Sequence, residues 1–274
     1  MEGMATHLGA HLASMREDLR FQPVSRRVRA SLDGQPVADT TAACLVWEPH
    51  RIVPLYAVPV ADVSAGLVPV DNVTPPDPVP AVLPPMQVFE VHLAAGQSYD
   101  VVVADRVLER AAYRFDDADL GDHVLLSWAP FDWTEDDTPV MGHPHDPFSR
   151  IDVLTTHSHV VVSYDGQVLA DSRNARALYE SNLPTRYYFP PEDVRMDLLE
   201  PSDTRTVCAY KGTATYHSLA GVPDAADLAW SYPEPLHDAE PVRDLVCFYA
   251  EWTDLVADGV PVPRPDSPFT RRGG

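Results

Sequence analysis

The sequence is almost without lysine: Lys211 is the only one, and every other one of its 20 basic residues is arginine. Acidic residues number 41, so the formal net charge is -21. A chain with this charge is not expected to bind nucleic acid, because the phosphate backbone must be neutralised by clustered cations. The same imbalance disfavours docking on an anionic membrane surface.

Cysteine and long apolar runs are also scarce. The three cysteines, Cys44, Cys208 and Cys247, cannot all pair and form no Cys-x-x-Cys motif, which argues against a disulfide framework or a cysteine-based zinc site. No apolar run approaches the ~20 residues that cross a bilayer, and no signal-peptide pattern is visible. We therefore expect a cytoplasmic protein. The sequence has no Gly-rich phosphate loop and no Gly-x-Ser-x-Gly motif, and we expect no cofactor.

The sequence does contain an internal repeat, which is the first pattern to test for in a chain of this length. Residues 28–48 match residues 160–180 at nine of 21 positions, from Val28 and Val160 to Glu48 and Glu180. After a slip of one residue, the match continues from 56–63 to 187–194. Two copies at this spacing account for nearly all of the 274 residues.

The repeat divides the chain into four predicted segments. They are an N-terminal helix at 1–23, a first repeat domain at 24–141, a connector at 142–157 and a second repeat domain at 158–274. The helix is predicted from apolar residues at helical spacing over 5–20, namely Leu8, Leu12, Met15 and Leu19. It is expected to end near Phe21-Gln-Pro23 and to serve as a packing or capping helix. The first domain carries a Pro-rich insert at 73–85, which we interpret as an extended surface loop, or alternatively as a ligand of a proline-binding module.

Both repeats show the pattern of an antiparallel β-domain. Alternating residues flank Asp33-Gly34 and Asp165-Gly166, and Asp-Gly between such runs predicts a hairpin with a tight turn. One short helix is expected in each copy, at 59–67 and after Pro190. We therefore predict an all-β protein with two tandem domains. Further strands of the second copy are predicted at 176–180, 186–189, 204–219, 227–232 and 244–250.

The second repeat contains a polar stretch, Thr204–His217, that has no counterpart in the first repeat. It includes Lys211, a compact point charge that arginine cannot replace in every role. Lys211 is a candidate anion contact, or a base or Schiff-base former with Tyr210 as the acid. Alternatively, one lysine among many basic residues has no special role.

The spacing within this stretch sets a geometric condition. In a regular strand, Cys208, Tyr210 and Tyr216 share one face, while Lys211 and His217 share the other with Arg205. Cys208 and Lys211 meet only if the chain turns or bulges, which Gly212 permits.

Aromatic and basic residues of the second repeat form a candidate binding site. Tryptophan and tyrosine can line a pocket while offering polar tips, and arginine can bind a carboxylate or phosphate. The alternatives are that the aromatic residues are simply core and the arginines surface residues. The candidate ligand-binding residues are Arg186, Tyr188, Cys208, Lys211, Tyr216, Trp230 and Tyr232. A second, weaker set could supply imidazole ligands to a metal from two His-x-His pairs, His143, His145, His157 and His159.

These motifs resemble the domain of unknown function 427 family. The resemblance rests on Val46-Trp-Glu-Pro49 in the first repeat, and on Leu183–Tyr188, Cys208–Gly212 and Leu228–Tyr232 in the second. It covers nearly the whole chain, which resembles a tandem, two-copy member of the family. The resemblance implies two β-tent-like domains, in which antiparallel sheets meet at an angle. The family usually carries Trp where this chain has His217.

The resemblance adds limited information on function. Other β-tent domains bind small ligands in aromatic pockets, and the family is also catalogued as nucleotidyltransferase-like. We expect the second domain to bind a small molecule with an anionic or carbonyl group. The alternatives are a Lys/Tyr-dependent or nucleotidyltransferase-like enzyme, and an interaction module that uses the Pro-rich insert. We expect a monomer in which the first repeat replaces the second subunit of a homodimer.

Overall fold

The computed structural model describes residues 5–83 and 88–270 and confirms an all-β protein built of antiparallel sheets. The chain divides into two compact units, residues 1–146 and 147–274. Among the described residues, no helix has the length and apolar character needed to cross a membrane.

The first unit begins with one short helix and continues as strands joined by turns. Single 3₁₀ turns lie at Met15–Glu17 and Val60–Asp62. Its regular elements are α1 (Leu8–Ser14), β1 (Arg20–Pro23), β2 (Val28–Leu32), β3 (Gln35–Thr40), β4 (Cys44–Trp47), β5 (Leu55–Pro59), β6 (Gly66–Val70), β7 (Gly96–Val103), β8 (Arg106–Phe115), β9 (His123–Leu126), β10 (Asp132–Glu135) and β11 (Thr138–Val140).

The second unit is also built of strands, with 3₁₀ turns in its connections. These turns lie at Pro191–Asp193, Met196–Leu198, Pro223–Ala225 and His237–Val242. Its strands are β12 (Ile151–Thr155), β13 (Val160–Tyr164), β14 (Gln167–Ser172), β15 (Arg176–Glu180), β16 (Arg186–Phe189), β17 (Leu199–Cys208), β18 (Gly212–Leu219), β19 (Ala229–Ser231), β20 (Val246–Phe248), β21 (Asp254–Ala257) and β22 (Val260–Val262).

The two units have the same sheet topology. Each contains a 7-stranded sheet, ordered β1-β4-β5-β9-β8-β7-β6 in the first unit and β12-β15-β16-β20-β19-β18-β17 in the second. Each also contains a 4-stranded sheet, ordered β3-β2-β10-β11 in the first and β14-β13-β21-β22 in the second. Every strand of one unit therefore has a topological counterpart in the other, including the strands that the sequence repeat does not match.

The Asp-Gly turns form as predicted. Asp33 and Gly34 join β2 to β3 with φ values of 50° and 78°, and Asp165 and Gly166 join β13 to β14 with φ values of 47° and 79°. Two consecutive positive φ values are the requirement of the type I′ hairpin turn.

The 7-stranded sheet of the second unit buries residues on both faces. One face contributes Phe189, Leu219 and Phe248 to a core shared with Val160 and Leu255 of the 4-stranded sheet. The opposite face carries a separate cluster that contains four of the predicted site residues, Tyr188, Tyr216, Trp230 and Tyr232. In the first unit a single large core includes residues of both sheets.

The N-terminal helix is present but shorter than predicted. The helix α1 ends at Ser14, and Arg20–Pro23 form β1 because they pair with Cys44–Trp47. Leu8 and Leu12 are 65% and 47% exposed, so the apolar side of α1 is not buried against the described part of the chain. Helical spacing identified the element but not its end, because strand pairing overrides local propensity.

Other segments differ in detail from the sequence predictions. The stretch 204–219 is two strands with a turn at 209–211, and residues 151–155, assigned to the connector, form β12 by pairing with β15. The short helices are the 3₁₀ turns after Pro59 and Pro190, and β6 occupies the end of the segment predicted at 59–67. Of the Pro-rich insert, residues 73–83 contain no helix or strand, and its last two residues lie outside the described part of the chain.

Candidate functional site

The predicted aromatic residues of the second unit share one face of the 7-stranded sheet. Tyr188 on β16 lies opposite Cys247 on β20, Cys247 lies opposite Trp230 on β19, and Trp230 lies opposite Tyr216 on β18. Directly paired residues of antiparallel strands point to the same side. The result is a buried row of large side chains in which Trp230 Nε1 donates a hydrogen bond to the Tyr188 hydroxyl at 3.1 Å.

Lys211 reaches this same face because the chain turns sharply beside it. Cys208 pairs with Gly212 at the end of the β17–β18 hairpin, which leaves Lys211 in the turn and out of the strand alternation. Gly212 has a φ of +94°, and a Cβ at this position would lie 3.1 Å from the carbonyl oxygen of Glu234. Only glycine fits both conditions without strain. The turn foreseen at Gly212 is therefore present.

The ammonium group of Lys211 is paired with a carboxylate from a strand near the opposite edge of the sheet. Lys211 Nζ donates to Glu180 Oε2 at 2.6 Å, and the two side chains are only 9% and 15% exposed. Glu180 is the last residue of β15, so the pair joins the hairpin to the opposite half of the sheet. Removing two charges from water is costly unless they are paired, which explains why neither residue lies here alone.

Arg186 is engaged by Glu251 and packs against aromatic rings. Its Nη1 and Nη2 donate to the two carboxylate oxygens of Glu251 at 2.6 and 2.7 Å. Burial alone would raise the pKa of Glu251, but the hydrogen bonds from Arg186 and Ser267 bring it below its ordinary value. The guanidinium carbon lies 5.6 to 5.8 Å from three ring centres, those of Trp230, Tyr249 and Phe269.

A row of hydroxyl groups links the buried cluster to the surface. The hydroxyls of Thr206 and Tyr216 are 2.8 Å apart, and those of Tyr216 and Tyr249 are 3.5 Å apart. Thr206 is exposed and Tyr249 is half-buried, whereas Tyr216 is buried. Thr206 and Tyr249 are not among the site residues predicted from the sequence. Thr206 has the same strand parity as Cys208, which was the signal that could have placed it on this face.

The remaining predicted residues of this site lie around the same hairpin. Cys208 and Tyr210 are half-buried, and all three cysteines are free. Burial raises the pKa of Tyr232 far above its ordinary value, and the neighbouring Cys208, Tyr216 and Glu180 act in the same direction. The phenol of Tyr232 is therefore a neutral hydroxyl at ordinary pH.

Three of the four predicted metal-binding histidines make separate contacts. His145 Nδ1 lies 3.0 Å from a carboxylate oxygen of Glu135, and His159 Nε2 lies 2.6 Å from Asp171 Oδ1. His143 Nδ1 lies 2.8 Å from the carbonyl oxygen of Pro144, and His157 is exposed. Within the described ranges, no group of three or more His, Cys, Asp or Glu side chains is arranged to hold a metal ion.

The predicted pocket residues pack against one another. Tyr188, Trp230, Tyr232, Arg186 and Lys211 are all at most 7% exposed. An open depression of about 500 Å³ lies instead on the first unit, and none of the predicted residues lines it. Its walls are formed by Ala95, Gly96, Gln97, Tyr99, Arg114, Phe115 and Asp116.

The comparison with protein families gives one match. A family model described as a domain of unknown function (DUF427) matches residues 152–259, which lie in the second unit. The matched range begins in β12, ends after β21 and contains Glu180, Lys211 and Glu251. A comparison with curated proteins finds no match.

Proposed function

We propose that the second unit, which contains the match to the DUF427 domain, binds a small molecule through an anionic or carbonyl oxygen at the Lys211 turn. The ligand lies at the open end of the hydroxyl row, where Thr206 and Cys208 face the solvent side of the aromatic cluster. Lys211 donates to the ligand oxygen, and the tyrosine hydroxyls and Thr206 supply further hydrogen bonds. The remainder of the ligand contacts the half-buried ring of Tyr249.

One observation carries this proposal: the only lysine of the chain is held against a carboxylate on the aromatic face. An ammonium group has three hydrogen-bond donors, and Glu180 accepts from one of them. We assign the other donors to a ligand oxygen. Binding sites for small molecules typically combine aromatic walls with a few such convergent polar groups.

The pairing of Lys211 favours binding over covalent catalysis. In its ion pair with Glu180 at 2.6 Å, the ammonium group of Lys211 donates hydrogen bonds and has no lone pair for nucleophilic attack or proton abstraction. The enzyme alternative, with Lys211 as base and Tyr210 as acid, needs the neutral amine. We therefore place Lys211 in the role of an oxygen contact.

The single lysine makes a direct test possible. Protein that incorporates ¹³Cε-lysine gives one lysine signal, and we expect that signal to shift saturably on titration with benzoate or benzaldehyde. Benzyl alcohol, which has the same ring without a carbonyl or charge, is the matched control and leaves the signal in place. If neither benzoate nor benzaldehyde gives a saturable shift, the proposal is refuted.

Two variants locate the binding site on the sheet. Thr206→Val and Tyr216→Phe remove hydroxyls of the row, so both weaken probe binding. Arg205→Gln changes a residue that pairs with Thr215, on the opposite face from Tyr216, and leaves the affinity unchanged. Equal affinity in all three variants would mean that the probe binds elsewhere.

We further propose that the chain is a monomer, since both copies of the fold are already present in one polypeptide. Light scattering is expected to give the mass of one chain, about 30.2 kDa. A mass twice this value would contradict the proposal.

A further inference from the structure

The first unit contains a buried polar cluster at the position that Lys211 and Glu180 occupy in the second. Val46 pairs with Leu55 and Leu178 pairs with Arg186, so β4 and β15 have equivalent registers. Two residues later in each unit comes a glutamate, Glu48 in the first and Glu180 in the second. Glu48 is only 1% exposed.

Glu48 also has basic partners, but they come from other segments of the sequence. Arg51 Nε donates to Glu48 Oε2 at 3.0 Å, and His92 Nδ1 lies 3.0 Å from the same oxygen. His92 belongs to the connection between β6 and β7, the topological counterpart of the β17–β18 turn that holds Lys211. In each unit, therefore, one partner of this carboxylate comes from the equivalent connection: His92 in the first and Lys211 in the second.

Two polar atoms of this cluster have no hydrogen-bond partner. Arg51 Nη2 donates to the carbonyl oxygens of Val88, Phe89 and Val91. Arg51 Nη1 and His92 Nε2 are buried, and neither forms a hydrogen bond with any residue of 5–83 or 88–270. Leaving a buried donor or acceptor unsatisfied costs about 1–3 kcal/mol, and native structures seldom do so.

The cluster is held in place by packing. The ring of His92 stacks on Tyr113 with centroids 3.6 Å apart, and the ring of Phe89 meets it edge-on at 5.1 Å. Burial and the charge of Glu48 raise the pKa of Tyr113 to about 12, so its hydroxyl stays neutral. The orientation of His92 is thus fixed before any ligand arrives.

We propose that Glu48, Arg51 and His92 form a second binding site, which takes one small monoanionic carboxylate of the size of formate. Arg51 Nη1 donates to a carboxylate oxygen. His92 faces Glu48 through Nδ1, and in the complex the imidazolium form donates to the other carboxylate oxygen through Nε2. A carboxylate has one oxygen for each of the two buried nitrogens that lack a partner.

The test uses formate as the probe and histidine signals as the readout. In protein labelled with ¹⁵N in the imidazole rings, the His92 signals are identified by their loss in His92→Gln. We expect formate to shift them saturably, and sodium chloride at the same ionic strength to leave them unchanged. His50→Gln is the control variant, because His50 lies in the same unit and contacts Glu17 and Pro80 instead.

A second measurement follows Arg51 directly, without replacing it. In the wild-type protein, formate shifts the Nε–H signal of Arg51, and His92→Gln abolishes the saturation of this shift. A crystal soaked in formate shows a carboxylate beside Arg51 Nη1. A water molecule there that formate does not displace, or saturation that survives in His92→Gln, would overturn the proposal.

Discussion

Lys211 Nζ lies 2.6 Å from Glu180 Oε2, and the two side chains are almost entirely buried. Removing one partner leaves the other as an uncompensated buried charge, which typically costs about 3–5 kcal/mol. We therefore expect Lys211→Met and Glu180→Gln each to lower the free energy of unfolding by about that amount. Urea denaturation measures the change.

The control for this pair is an exposed one. Arg264 and Asp254 lie 2.9 Å apart with side chains 50% and 57% exposed, and such pairs contribute about 0–1 kcal/mol. Arg264→Met should have a correspondingly small effect. In the double variant of Lys211 and Glu180 the loss should be smaller than the sum of the single losses, and simple additivity would show that the residues do not interact.

Gly212 supports the turn that directs Lys211 towards Glu180. Gly212→Ala combines a positive φ of +94° with a contact of 3.1 Å to the Glu234 carbonyl oxygen, so we expect a loss of about 1–3 kcal/mol in unfolding free energy. Gly221 has a φ of +73°, but a Cβ added there would meet nothing within 4 Å, so Gly221→Ala isolates the backbone strain. The prediction is wrong if both variants lose the same stability.

The Arg186–Glu251 pair depends on the planar guanidinium. Lysine at position 186 keeps the charge but loses one of the two parallel hydrogen bonds and the flat contact with Trp230, so Arg186→Lys should destabilise by about 1–3 kcal/mol. Arg195 makes the same two-point contact with Asp197 at the surface. There, Arg195→Lys should change stability by less than about 0.5 kcal/mol. Equal losses at both positions would show that burial adds nothing to the Arg186 contact.

Glu135 makes the stability of the first unit sensitive to acid. Burial alone would raise its pKa, but hydrogen bonds from His145 and Tyr56 and the charge of Arg26 lower it from 4.5 to about 2. A carboxyl group with a lowered pKa stabilises the folded state above the unfolded pKa, and this contribution is lost as the pH falls through the folded pKa. This lowering of the Glu135 pKa corresponds to about 3 kcal/mol in the free energy of unfolding.

The stability difference between wild type and Glu135→Gln should therefore shrink as the pH falls from 4.5 to about 2. Unfolding free energies from denaturant titrations at several pH values measure this. Glu109→Gln, at an exposed strand position, provides the control and should show no such trend. A difference that stays constant with pH would mean that Glu135 is not ionised in the folded state.

Much of the fold could be predicted from local patterns. The Asp33-Gly34 and Asp165-Gly166 turns follow from the backbone geometry that those two residues favour, and the strands at 176–180 and 186–189 have the predicted bounds. The end of α1 could not be predicted in this way, because Arg20–Pro23 become a strand only through pairing with Cys44–Trp47. Such pairing depends on residues distant in the sequence.

The composition of the site was predicted, but its connections were not. The sequence singled out Lys211 and the aromatic residues, and the strand registers bring those aromatic residues to one face. It gave no signal for Glu180 or Glu251 as partners, because these ion pairs span 31 and 65 residues. The absence of the Lys211 motif from the first repeat also concealed the Glu48 cluster, whose partners are His92 in the equivalent connection and Arg51 between β4 and β5.

The burial of Lys211 gives this chain an unusual chemical property. Its only ε-amine is ion-paired with Glu180, and acylation needs a neutral amine, so the reaction requires this ion pair to break. The rate of lysine acylation then reports how often the pair is broken, by local opening of the hairpin or by global unfolding. Mass spectrometry of the peptide that contains Lys211 measures this rate, which at low denaturant follows the local opening of the second unit.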